Sequence, residues 1–199
     1  MKAVKDACKV SDSVFNFSAA EQVEDIDALQ DRSLDAETFF GKTHLTSGLQ
    51  RLFHGVMNRL NAGSSQALFE LTQAMGGGKT HLMLASGLAV QNPTAGQRVL
   101  QEMNSQLSIP DNVNLAVFTG RRAPKGYLWG EIARQLGKED QFAHLTGQHP
   151  EAPDIDDWRN LIGDEPTLIL LDELPPYLVN ASTKPVAEGT LATVTENAL

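Results

Sequence analysis

Residues 68–81 read Leu-Phe-Glu-Leu-Thr-Gln-Ala-Met-Gly-Gly-Gly-Lys-Thr-His. A short apolar run (Ala67, Leu68, Phe69, Leu71) leads into three glycines, and Lys79 and Thr80 follow them. The next run, Leu82-Met83-Leu84-Ala85, suits a buried helix. Strand, glycine-rich turn, Lys-Thr and helix together make the context in which a loop cradles phosphate. Gly76, Gly77 and Gly78 carry no Cβ, so the backbone there can take positive φ and come close to a polyphosphate. Their N–H groups would ring phosphate oxygens at the positive end of the new helix. Lys79 is expected to reach the β- and γ-phosphates, and the Thr80 hydroxyl to complete the coordination of Mg²⁺. His81 closes the set of nucleotide-binding candidates. One position departs from the pattern G-x-x-x-x-G-K-[ST]: Gln73 stands where the first glycine belongs, so Gly76 and Gly77 must supply the lost freedom.

The same four letters occur twice. Gly41-Lys42-Thr43-His44 repeats Gly78-Lys79-Thr80-His81, but Thr38, Phe39 and Phe40 precede it where the cradle should be. Two aromatic rings would crowd a phosphate rather than surround it with N–H groups. Lys42 is therefore rejected as a phosphate ligand.

A second segment, Thr167-Leu168-Ile169-Leu170-Leu171-Asp172-Glu173, is an apolar β-rich run ending in two carboxylates, the Walker B pattern. The strand would bring Asp172 beside the loop to hold Mg²⁺, mostly through water. Glu173 is then placed to orient and deprotonate a water facing the γ-phosphate, which makes Glu173 and Lys79 the catalytic candidates. Alone, each segment has an ordinary structural explanation; together they support one another. The adjacent glutamate favours hydrolysis over transfer to a small-molecule acceptor. No Asn-Lys-x-Asp base-reading motif occurs, so ATP is preferred to GTP. A nucleotide-gated interaction module with little hydrolysis is the alternative.

These motifs predict an α/β fold, a P-loop NTPase three-layer sandwich of the additional-strand, AAA-like class. Its further strand should follow Walker B, yet only 26 residues follow Glu173 in the 199-residue chain. They include Pro175, Pro176 and Pro185 and show no buried strand pattern, so the expectation is an incomplete NTPase domain over residues 46–199, part of a longer ATPase. Residues 1–45 read as an N-terminal arm, with an acidic cluster at Glu21, Glu24, Asp25 and Asp27.

Composition narrows the classes. A net charge of −9 gives no general attraction to nucleic-acid backbones, and no direct nucleic-acid site is evident. Cys8 is the sole cysteine, so no internal disulfide forms and a reducing cytoplasm is the expected home. The start lacks the apolar core of a signal peptide, and no run approaches the ~20 apolar residues of a membrane span.

Elsewhere, residues 47–60 carry an apolar stripe (Leu49, Leu52, Phe53, Val56, Met57, Leu60) with Ser47 and Gln50 as a capping box. Helices are also expected over 79–90 and 97–106, a strand over 113–118, a helix from Leu128 to a stop at Gly137, and a short helix capped by Asp154. Trp129 reads as a core anchor. Arg121 or Arg122, just past the 113–118 strand, could face phosphate or a neighbouring subunit, against the plainer reading of solvated arginines. His144 and His149 read as surface residues.

Phe39-Phe40 through Thr43, Thr46, Gly48-Leu49, the Gly-Gly-Gly-Lys-Thr-His loop, Leu128-Trp129-Gly130-Glu131-Ile132-Ala133 and Leu170-Leu171-Asp172-Glu173-Leu174 occur in this order. The combination, spanning roughly residues 10–199, resembles the start of a prokaryotic family of large ATPases, domain of unknown function 499. The resemblance implies an AAA-like motor or switch serving DNA modification, restriction or phage defence. It further implies a DNA methyltransferase or helicase as partner and a homo-oligomer in the full-length protein.

Overall fold

Two parallel strands, β1 (Asn114–Thr119) and β2 (Thr167–Asp172), lie side by side, Asn114 opposite Thr167 and Thr119 opposite Asp172. The structure, a computed structural model, describes residues 25–72, 76, 78–121, 127–147, 150–186 and 189–199. Side chains alternate across the strands as the pleat requires. Leu115, Val117, Leu168 and Leu170 enter one apolar core, and Ala116, Phe118, Ile169 and Leu171 the other.

The first core holds a 3₁₀ turn (Ile26–Leu29), α1 (Ala36–Lys42), α2 (Ser47–Leu60), α3 (Lys79–Gln91) and α4 (Pro93–Glu102). The second holds α5 (Leu128–Gln135), α6 (Glu139–Phe142), a 3₁₀ turn (Ala143–Leu145), α7 (Ile155–Ile162), α8 (Leu174–Ser182) and α9 (Leu191–Ala198). A small antiparallel hairpin, β3 (Pro185–Val186) with β4 (Gly189–Thr190), joins the last two helices. The result is a mixed α/β arrangement with helices on both faces of a short sheet.

Local chemistry explains most boundaries. Asp35 begins α1 by accepting from the Thr38 N–H (2.7 Å), and Asp154 begins α7 in a reciprocal capping box with Asp157. Helix α3 is apolar all round and buried from Leu82 to Val90, as a helix enclosed by its neighbours must be. Gly87 lets it settle deeply: a Cβ there would stand 2.5 Å from Leu29 Cδ1 and 3.0 Å from Leu170 Cδ1. Trp129 is wholly buried, its indole N–H donating to the Leu145 carbonyl at 3.0 Å. The outer edge of β1 is closed by side chains. Gln135 donates to the Val117 carbonyl (2.7 Å) and accepts from the Val117 N–H (2.8 Å), and Gln30 donates to the same carbonyl (2.7 Å). Glu131 also accepts from Gln135 (2.7 Å), and Arg134's hydrogen bond, opposed by burial, holds the Glu131 carboxyl below its ordinary range.

Several expectations need correction. The strand anticipated before Gly76 does not form: residues 66–72 make no ladder with β1 or β2, and Leu68 is 81% exposed. The Phe69 ring instead lies against α2, where a Cβ on Gly55 would meet it at 2.8 Å, so the segment runs over a helix rather than joining the sheet. The cap of α2 is Thr46, not Ser47, and Gln50 reaches back to the Leu45 carbonyl. Helix α4 starts at Pro93 rather than 97, because a proline at the first helical position sacrifices no hydrogen bond. Pro175 and Pro176 likewise open α8. Of the arm expected over 1–45, residues 1–24 lie outside the described part. The rest contributes core: Ile26 and Leu29 are wholly buried and Phe39 nearly so.

Candidate functional site

Two elements converge at the carboxyl end of β2. Helix α3 starts at Lys79, with Gly78 as its N-cap in the left-handed region (φ 77°, ψ 19°). Gly76 also has positive φ, 78°. At both positions a Cβ would meet nothing within 4 Å, so backbone conformation, not crowding, calls for glycine. Leu82 N–H is bonded to the Gly78 carbonyl (3.0 Å), and the turn before it is the end of a helix that attracts anions. Gln73 and Gly77 lie outside the described residues.

Asp172 is the last residue of β2 and is buried. The Thr80 hydroxyl donates to its Oδ2 at 2.8 Å, across 92 positions of sequence. The other oxygen, Oδ1, accepts from the Glu173 backbone N–H at 2.9 Å. Both carboxylate oxygens are therefore directed, one toward α3 and one toward the following turn. Glu173 is itself in the left-handed region (φ 54°), which costs a non-glycine residue about 1–2 kcal/mol. The turn is set from the neighbouring strand: a Cβ on Gly120 would stand 1.9 Å from the Glu173 carbonyl oxygen, so only glycine fits at the end of β1. Beyond it, Arg121 Nη2 donates to Glu173 Oε1 at 2.8 Å.

The matching family model is the DUF499 N-terminal domain, and it covers residues 2–190 of 199. The chain belongs to that family. No curated protein and no solved structure matches it.

Of the residues anticipated for the site, one from each half meet directly. Thr80 and Asp172 touch, Lys79 is half-buried at the start of α3, and Glu173 sits one residue past Asp172. Of the two arginines, Arg121 is paired with Glu173 rather than simply solvated, and Arg122 lies outside the described residues. His144 is exposed, while His149 is not described. Lys42 closes α1 at its C-terminal end, the wrong helix pole for a phosphate.

Two contacts were not foreseen. His81 stacks on Phe39 (centroids 4.6 Å apart, 25° between planes), and its Nε2 lies 3.1 Å from Thr43 Oγ1. The signal was present, since Phe39 and Thr43 lie in the first of the segments that carry the family resemblance. Thr119, opposite Asp172 and 8% exposed, adds a polar side chain at the β1 end. Among the described residues no helix is long and apolar enough to cross a membrane.

Proposed function

We propose that this site binds ATP with Mg²⁺ and hydrolyses it, as the N-terminal module of an AAA-like P-loop ATPase. The observation that carries the reading is the 2.8 Å contact between the Thr80 hydroxyl and Asp172 Oδ2. A hydroxyl and a carboxylate oxygen side by side form the hard-oxygen pair that Mg²⁺ takes, its other positions left to water and phosphate. When bound, Mg²⁺ would neutralise charge on the β- and γ-phosphate oxygens.

The chain's own residues supply the rest. Gly76 and Gly78 turn the backbone around the phosphates, and the N-terminus of α3 favours their negative charge. Lys79 binds the β- and γ-phosphates as a cation. Asp172, fixed by Thr80 and by the Glu173 N–H, would help to hold Mg²⁺, mostly through water. Glu173 takes a proton from a water whose oxygen bonds to the γ-phosphorus, while the bond from that phosphorus to the β,γ-bridging oxygen breaks and releases ADP and inorganic phosphate. A DNA methyltransferase or helicase is the proposed partner, and a homo-oligomer the proposed assembly; both rest on family resemblance alone.

The deciding experiment compares nucleotide binding and phosphate release in the intact protein, Lys79→Ala and Glu173→Gln. Lys79→Ala is expected to lose binding, whereas Glu173→Gln should bind ATP and release no phosphate. Normal hydrolysis by both variants would refute the assignment. The Arg121–Glu173 ion pair favours a second reading, a nucleotide-gated interaction module in which the base stays engaged and turnover is slow. ATP-dependent protection from proteolysis with negligible phosphate release would select it.

A further inference from the structure

The Arg121–Glu173 pair lies just beyond the paired ends of the two strands, Thr119 opposite Asp172, with Arg121 two residues past Thr119 and Glu173 one past Asp172. Its position is set by backbone: Gly120 and Glu173 are in close contact, and the Gly120 N–H donates to the Asp172 carbonyl at 2.9 Å. The pair is also open, with side chains 63% and 32% exposed for Arg121 and Glu173. An ion pair so exposed adds little stability and is easily exchanged. Without Arg121, two adjacent carboxylates, Asp172 and Glu173, would face an incoming anion. A guanidinium prefers a doubly charged phosphate, which it can grip with two parallel N–H bonds, to a single half-solvated carboxylate.

We propose that Arg121 is the positioning residue for Glu173 and the reader of the terminal phosphate. It holds the Glu173 carboxylate while no nucleotide is present and transfers to the γ-phosphate of a bound nucleoside triphosphate. Glu173 is thereby released to a water only when a triphosphate occupies the site; a diphosphate, lacking the third phosphate, leaves the pair intact. This rests on the ATP-site reading above and adds to it a means of telling triphosphate from diphosphate.

The test is a binding measurement, independent of turnover. The intact protein, Arg121→Ala, Arg121→Lys, Glu173→Gln and the Arg121→Ala/Glu173→Gln double variant are titrated calorimetrically in Mg²⁺ with β,γ-imido-ATP and with ADP. Arg121→Ala should weaken the triphosphate analogue about tenfold, one lost charge-assisted contact, and ADP by less than about twofold. Arg121→Lys keeps the charge without the fork and should fall between. Glu173→Gln removes the competing carboxylate, so it should tighten the analogue about threefold where Arg121 is present and not in the double variant. Equal tightening with and without Arg121, or equal loss for triphosphate and diphosphate, would overturn the proposal. Binding that depends on Lys79 but shows no Arg121–Glu173 coupling removes this inference alone. If the wild-type protein binds neither nucleotide, or Lys79→Ala binds as well as wild type, the ATP-site reading falls with it.

Discussion

The two Gly-Lys-Thr-His tetrapeptides end up at opposite poles of helices. In the first, Gly41 and Lys42 are the last residues of α1 and Thr43 is its C-cap, its hydroxyl donating back to the Phe39 carbonyl at 2.8 Å. In the second, Gly78 caps and Lys79 opens α3, and the Thr80 hydroxyl points forward to Asp172. The four letters are the same; what precedes them is not. Asp35 and the helix-compatible run after it carry α1 into the first copy, so its lysine meets the negative end of the dipole. Two glycines at positive φ carry the chain into the second, so its lysine meets the positive end. A short motif has chemical meaning only through the backbone that delivers it. The two copies also meet, Thr43 against His81, so the mute one supports the other.

The contrast is easiest to break at the lysines. Lys79→Ala should lower affinity for a fluorescent ATP analogue by about 30-fold or more, a lost hydrogen bond between charged partners, while Lys42→Ala stays within about twofold. Comparable losses from both would end the distinction. The threonines sharpen it. Thr80→Val should weaken Mg²⁺-dependent nucleotide binding about tenfold, whereas Thr43→Val should leave binding nearly unchanged and cost about 1–2 kcal/mol in urea unfolding, its hydrogen bonds to the Phe39 carbonyl and to His81. The glycines come next: Gly78→Ala must place a side chain at φ 77°, which should cost about 1 kcal/mol. Gly41→Ala, in helix and with nothing within 4 Å of the new Cβ, should stabilise by about 0.5 kcal/mol. The same urea titration reads both signs.

The smallest effect concerns how α1 begins. The Thr38 backbone N–H, with a further hydrogen bond from the Thr38 side chain, holds the exposed Asp35 carboxyl below its ordinary range. A carboxyl whose folded pKa is depressed contributes stability above its unfolded pKa and loses it as pH falls through the folded one. Asp35→Asn keeps a capping oxygen but does not titrate. The melting-temperature gap between wild type and Asp35→Asn should therefore narrow as pH drops from about 6 to about 3. A gap independent of pH would show that this carboxylate's charge is irrelevant to the helix start.

Much of this was readable because the physics is local. The α3 and β2 runs are apolar on every side, and Asp154 with Asp157 announces α7 within four residues. What was misread depended on distant partners. An apolar run such as residues 67–71 cannot say whether a strand or a helix awaits it, and here Phe69 found α2. The Arg121 partner lies 52 positions away and was invisible for the same reason. Helix α3 stops before Pro93 as expected, but that proline then opens α4, four residues earlier than anticipated, and Pro175 and Pro176 sit in the first turn of α8. The 3₁₀ turn at Ile26 was missed because an acidic neighbourhood hid two residues that are wholly buried.

Val117 in β1 already has its carbonyl bonded by two glutamine amides and its N–H held by one of them. A foreign strand arriving along that rim would have to evict both side chains before pairing at Val117. Crowded in a cell, the molecule is guarded on that flank against fibril-like stacking, without a proline or a lysine being placed there for the purpose.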